Sequence, residues 1–179
     1  MKNIFYILTL LLFVFAESSI ANTGQGGKQR FSTGIMMLAS STEQGGKGTE
    51  GSTLLSQTEY VYNFGWWSAG LFYQYDKQGD VQQDSAVGPK LELNWRVFYI
   101  ELGYMAQMNR SYTDRSIAEE TGDGFIVGFG VRFNISGSWF FQGMFKQRTQ
   151  NIKEQDGILL DEPIKQTDTY PLAGIGYVF

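Results

Sequence analysis

The sequence predicts an all-β fold, an eight-stranded antiparallel up-and-down transmembrane β-barrel, on three observations. The chain ends Gly174-Ile175-Gly176-Tyr177-Val178-Phe179, with Ala173, Ile175, Tyr177 and Phe179 at alternate positions and mostly glycine between them. In water such a strand leaves an apolar edge open to other chains, whereas in a membrane barrel it closes the ring with its aromatics at the bilayer boundary. Eight segments alternate with period two, each near the 9–11 residues that a tilted strand needs to cross a bilayer. The connections between them alternate short and long, the pattern of a barrel with tight periplasmic turns and longer outer loops.

The first segment, 29–40, sets Phe31, Ile35, Met37 and Ala39 against Arg30, Ser32 and Gly34. The second, 53–64, sets Tyr60, Tyr62 and Phe64 against Gln57 and Glu59. In the third, 66–76, Trp67, Ala69, Leu71, Tyr73 and Tyr75 oppose Ser68, Gly70 and Gln74; in the fourth, 86–95, Val87, Leu91, Leu93 and Trp95 oppose Gly88, Lys90, Glu92 and Asn94. The fifth, 98–108, carries Phe98, Ile100, Leu102, Tyr104, Ala106 and Met108 against Glu101, Gly103 and Gln107. The sixth, 124–135, runs Phe125, Val127, Phe129, Val131, Phe133 and Ile135 against Gly128, Gly130, Arg132 and Asn134. The seventh, 139–149, has Trp139, Phe141 and Phe145 opposite Gln142, Lys146 and Arg148, and the eighth, 167–179, ends on Phe179. Tight turns are expected at 63–65, 95–97 and 134–138, and long polar loops at 41–52, 76–85, 109–123 and 150–166.

Residues 1–21 read as a secretory signal peptide: Lys2 opens a basic region, Ile4 to Ala16 is apolar, and Ser19-Ile20-Ala21 is an A-x-A-like cleavage site. An anchoring helix is the competing reading, but the run is about 13 residues where a span needs about 20. Residues 22–179 then form one barrel domain. The chain has no cysteine, so disulfides and thiolate metal sites are excluded. Aromatics make up 16% of the chain while mean hydropathy is only −0.21, as expected when strands alternate apolar and polar residues. A sequence pI of about 4.8 and the absence of a basic cluster argue against a nucleic-acid partner.

Period two does not say which face points inward, and a soluble lipocalin-like barrel turns its apolar face in. The polar face carries Arg30, Glu59, Lys90, Glu92, Glu101, Arg132 and Lys146, and the apolar face almost no charge. A soluble core holding this many Tyr and Trp residues would need a partner for every polar tip. The charged face is therefore assigned to the lumen, which in an eight-stranded barrel is just wide enough for side chains to fill. Neighbouring strands are expected to pair Arg30 with Glu59 and Glu101 with Arg132, with Lys90 and Glu92 completing a ring. This ring reads as a structural plug, or alternatively as an ion-selective constriction. Above it, Met36, Leu38, Phe72, Met105, Ile126, Met144 and Leu172 form a candidate apolar pocket, with inward glycines leaving room beside them. Pro89 and Pro171 lack a ladder donor and are placed to loosen the wall there; gap-filling methionines are the plainer account.

On these residues the mature chain resembles the small eight-stranded outer-membrane barrels of the OmpA/OmpX type. Gly174, Tyr177 and Phe179 match the terminal assembly signal Gly-x-x-aromatic-x-aromatic, and Leu172 departs from it by standing where a polar residue is usual. The resemblance implies delivery by periplasmic chaperones, insertion by the barrel assembly machinery, and residence as a monomer in the outer membrane among its lipids and lipopolysaccharide. It implies no single activity, because the fold hosts anchors, adhesins, pores and lipid-modifying enzymes.

The chain has no histidine, which removes the usual neutral-pH base and the commonest metal ligand. Serine with lysine, or paired carboxylates, remain as nucleophile and base, but no spacing singles out a set. In the outer loops Glu119, Glu120, Asp123, Asp156, Asp161 and Glu162 are candidate calcium ligands, and Arg110 and Arg115 candidate contacts for lipopolysaccharide phosphates; solvated charge is the plainer reading of both. No cofactor is expected. The function expected is an outer-membrane barrel with a structural, surface-interaction or adhesion role and no catalysis. The alternative is a barrel that binds a lipid or small apolar ligand, or a narrow pore, in the outer half of the lumen.

Overall fold

A computed structural model describes residues 28–44, 47–79, 81–113 and 118–179, with side chains described for 28–36 and from 53 onward. The signal-peptide segment, the Leu38 side chain and Arg115 lie outside the described residues.

Eight strands form a closed antiparallel ring in sequence order: β1 (Lys28–Gln44), β2 (Lys47–Asn63), β3 (Trp67–Gln78), β4 (Gln82–Trp95), β5 (Phe98–Tyr112), β6 (Glu119–Ser136), β7 (Trp139–Gln155) and β8 (Ile158–Val178). At the lower end, short turns join β2 to β3, β4 to β5 and β6 to β7, and β8 closes onto β1. The outer surface is apolar in a continuous belt: Leu71, Leu91, Leu102, Val127, Phe129, Phe145 and Ile175 are exposed. Aromatics gather at its lower rim, where Phe64 stacks on Trp67 at 4.2 Å and Tyr177 meets both Trp139 and Phe179 edge-on at 5.1 Å. The interior holds the charge: Lys90, Glu92, Glu101 and Lys146 are fully buried. A soluble β-barrel has the opposite arrangement, with apolar side chains inside.

The upper halves correct the expected loops. Strands run on through most of 41–52, 76–85, 109–123 and 150–166, and the last of these is a hairpin turning at 156–157. Asp156 and Gly157 both have positive φ, 49° and 80°, the conformation an Asp-Gly two-residue turn favours. Hydropathy hid these extensions because both faces become polar there, as with Arg148, Gln150, Thr149 and Asn151 on β7. A β-bulge on β5 makes a second correction. Between Met105 and Met108 the register with β6 slips, so Met108, expected on the lipid face, is fully buried and Arg110 follows it inside.

The seam between β1 and β8 is short. It pairs only Arg30–Val178 through Ile35–Ala173, whereas β1 pairs with β2 along its whole length. Its lower hydrogen bonds explain the stop. The Val178 N–H donates to Ser138 O of the β6–β7 turn, and the Phe179 N–H donates to Gln29 O of β1, both at 2.9 Å. Odd-numbered amides of lower β8 therefore face β1, and the next hydrogen-bonded pair above Ala173 would be Pro171 with Met37. Proline has no N–H to give. Above that point Asp168, on the same face as buried Arg148, keeps half of its side chain exposed. Restoring the donor with Pro171→Thr is expected to lengthen the ladder and to slow thiol labelling of an Asp168→Cys reporter. Equal labelling rates in the reporter with and without the Pro171→Thr change would show that the proline is not what ends the seam.

Candidate functional site in the barrel lumen

The lumen is built in layers, because each strand sends every second residue to the axis. Near the lower end β2, β4, β5 and β7 bring Glu59, Lys90, Glu92, Glu101 and Lys146 to one level. The Lys90 ammonium touches three carboxylates, Glu101 at 2.7 Å, Glu59 at 2.8 Å and Glu92 at 3.0 Å. Lys146 joins the same Glu101 at 2.6 Å and Glu59 at 3.3 Å, so two lysines and two glutamates alternate in a closed cycle. Glu59 also accepts from Gln57 at 2.6 Å and Ser32 at 3.2 Å. Below the cycle, Glu92 binds the guanidiniums of Arg30 and of Arg132, the latter at 3.2 Å. Arg132 lies over the Tyr99 ring at 4.2 Å and donates to Asn94 at 3.2 Å. Four cations face three carboxylates, and none of the seven is exposed.

All seven lumen charges named from the sequence share this network, but with other partners than neighbouring strands suggested. Arg30 does not pair with Glu59; it crosses the barrel from β1 to Glu92 on β4. Arg132 does not pair with Glu101, because Glu101 stands opposite Gly128, four residues higher on β6, roughly 13 Å at strand rise. Arg30 and Lys146 reach carboxylates across the axis, whereas Lys90 meets Glu101 on the adjacent strand. Among the described residues, the oxygens of Glu59, Glu92 and Glu101 lie within 4.8 Å of one another, close enough to ligate one ion. The Lys90 ammonium already contacts all three, supplying the positive charge that an ion would bring.

The residues of the candidate apolar pocket fall into two packed clusters, one beside the ring, where Met144 stands two residues below Lys146 on β7, and one above it. Met36, Met144 and Leu172 pack with Leu55, Tyr99 and Tyr170; Phe72, Met105 and Ile126 pack with Ala86, Met108 and Ile152. The room expected beside inward glycines is taken. A Cβ on Gly34 would lie 2.8 Å from Leu172, one on Gly103 3.1 Å from the Phe72 ring, and one on Gly130 2.5 Å from the Tyr99 ring.

A second charged layer sits above these clusters, and sequence reasoning missed it. Arg110 holds Asp84 through Nε and Nη2 at 2.8–3.0 Å, Gln166 at 2.7 Å, Gln150 at 2.8 Å and Glu120 at 3.4 Å. Arg148 binds Asp76, and Asp168 at 3.1 Å. The outer-loop expectation for Arg110 is therefore corrected: its guanidinium is buried and paired with carboxylates. The acidic residues named as calcium candidates are dispersed. Glu120 faces Arg110, Asp123 takes Lys153 at 2.7 Å, and Asp156 accepts the Ala118 and Glu119 amides at 2.9 Å. Asp161 and Glu162 are exposed on β8. At the tip of the β7–β8 hairpin Ile158 and Leu159 are exposed, while Leu160 packs against the Phe72 cluster. Two salt-bridge layers, with the Phe72–Met105–Ile126 layer between them, tie the strands together across the lumen.

No family model matches the chain, and no curated protein does. Among solved structures the chain is similar to the crystal structure of Neisserial surface protein A (NspA), with a TM-score of 0.55 and 13% sequence identity over 86% of this chain and 98% of that one. At that identity the likeness is one of fold: a small, closed, eight-stranded up-and-down barrel.

Proposed function

We propose that the chain is an outer-membrane barrel with a structural or surface-interaction role, working as a monomer and without catalysis. The observation that carries this reading is the inverted distribution of side chains, an apolar belt outside and paired charges within. Such a belt is stable only against hydrocarbon. The name of the structural neighbour, a surface protein, is in keeping with that role. Against the pore alternative stand the Phe72–Met105–Ile126 layer and the salt-bridged ring beneath it. Against the lumen-ligand alternative stands the filling of the glycine positions. Barrel assembly machinery, periplasmic chaperones and lipopolysaccharide are the partners this residence entails.

The test is reconstitution. The folded chain is expected to shift its mobility on heating in detergent gels, to fractionate with outer membranes, and to leave the swelling of proteoliposomes in small sugars at the protein-free rate. A heat-stable soluble monomer would overturn the membrane reading, and sugar-driven swelling would overturn the plugged lumen.

A further inference from the structure

The belt is not smooth. On the face made by β3 to β6 an apolar groove of about 540 Å³ runs between Leu91, Leu102, Tyr104, Phe125 and Val127, with the short side chains of Ala69 and Pro89 in its floor. Its origin is local. The β4–β5 register slips between Val87 and Lys90, and Gly88 there meets β5 so closely that a Cβ would lie 1.8 Å from the Tyr104 carbonyl oxygen. Leu71 pairs with Pro89 and Leu91 with Ala69, so two large side chains each face a small one and a hollow remains between taller neighbours.

The upper rim of the groove is polar. The Tyr104 hydroxyl donates to Asp123 Oδ2 at 3.1 Å, and the Lys153 ammonium donates to that same oxygen at 2.7 Å, with Asn151 on the other oxygen at 3.2 Å. Lys153 is half exposed, so its ammonium has donors left for a ligand. The rim stands one outward step above Phe125 on β6, where the apolar belt ends.

We infer that this groove and rim form a lipid site, taking one acyl chain along Ala69 and Pro89 and a phosphate headgroup at Lys153. The inference rests on the membrane residence proposed above. Position argues for the occupant: a hollow in the belt faces hydrocarbon, so a chain of methylenes fills it. Charge argues for the headgroup: the half-exposed Lys153 ammonium, held by Asp123 where the apolar belt ends, is a point-charge phosphate ligand. A phospholipid and a phosphorylated glycolipid share this chemistry.

Native mass spectrometry of the folded barrel, titrated separately with phosphatidylglycerol, diphosphoryl lipid A and diacylglycerol, tests it. The wild type is expected to retain one phosphate-bearing lipid about tenfold better than diacylglycerol, and the better of the two phosphate lipids identifies the source. Ala69→Trp fills the groove and is expected to reduce retention of all three; Ala69→Leu asks the same question if tryptophan prevents folding. Lys153→Gln is expected to bring the phosphate lipids down to the diacylglycerol level. Unchanged retention in the groove-filling variant, or no preference for phosphate in the wild type, would overturn the site. Heat-modifiable mobility and vesicle insertion are read on the same samples. A barrel that inserts but retains no lipid overturns this inference alone, whereas a chain that does not insert overturns the residence it rests on.

Discussion

Glu101→Gln is expected to destabilise the folded barrel by about 3–5 kcal/mol, the usual cost of removing one partner from a buried ion pair. The substitution keeps the side chain's shape and removes only charge. It leaves the ammoniums of Lys90 and Lys146, both fully buried, with Glu59 as their shared acceptor, while Lys90 keeps Glu92. The excess of cations over carboxylates in the ring rises from one to two. Lys146→Met alone removes a cation instead, leaving three of each sign with Lys90 still on Glu59 and Glu101, so its cost is expected to be smaller. Joining the two changes restores the original excess of one, and the double variant should be more stable than the sum of the singles by about 1 kcal/mol or more. Urea midpoints followed by tryptophan fluorescence in vesicles measure all four proteins. Additive losses would show that Glu101 and Lys146 do not act as one buried unit.

The same ring shows what was legible in the chain and what was not. One step off the apolar face and then counting by twos reaches Arg30, Glu59, Lys90, Glu92, Glu101, Arg132 and Lys146, since a strand sends alternate side chains to opposite faces. Counting cannot name partners, because Arg30 and Glu92 are 62 residues apart and meet across the axis. Counting also fails beyond a bulge. Met108 and Arg110 are inside only because Ala106 and Gln107 both point out. The upper strands escaped notice for a different reason. Where Gln150, Asn151, Gln166 and Thr167 alternate, both faces are polar and hydropathy has no contrast, although the ladder continues. The Asp156-Gly157 pair was the available signal, a hairpin dipeptide in the middle of an expected loop. The seam was legible in part: Pro171 has no donor in any fold, but which side of β8 misses it depends on the hydrogen-bond parity fixed by Phe179 and Gln29.

The glycines of the inward face carry the second large effect. Gly176 was read with Gly174 as one bare face of the last strand, but the space above it belongs to Phe140, whose Cζ would sit 2.1 Å from a Cβ at Gly176. That ring is completely buried and lies beneath the guanidinium of Arg132 at 5.4 Å and that of Arg30 at 5.8 Å, so it cannot swing aside without disturbing the ring of charges. Gly176→Ala is therefore expected to cost about 1–3 kcal/mol, the range for adding atoms to a packed interior. Phe140→Ala empties the same space and is expected to cost about 3–5 kcal/mol. In the double variant the new methyl enters the emptied space, so the combined loss should fall short of the sum by about 0.5–3 kcal/mol. Gly143→Ala is the control. It faces outward with its nearest atoms at 3.8 and 3.9 Å, and should change stability by no more than about 0.5 kcal/mol. A Gly176 variant as stable as the Gly143 control would mean that Phe140 does not fill the glycine face, and would reopen the lumen as a place for a ligand.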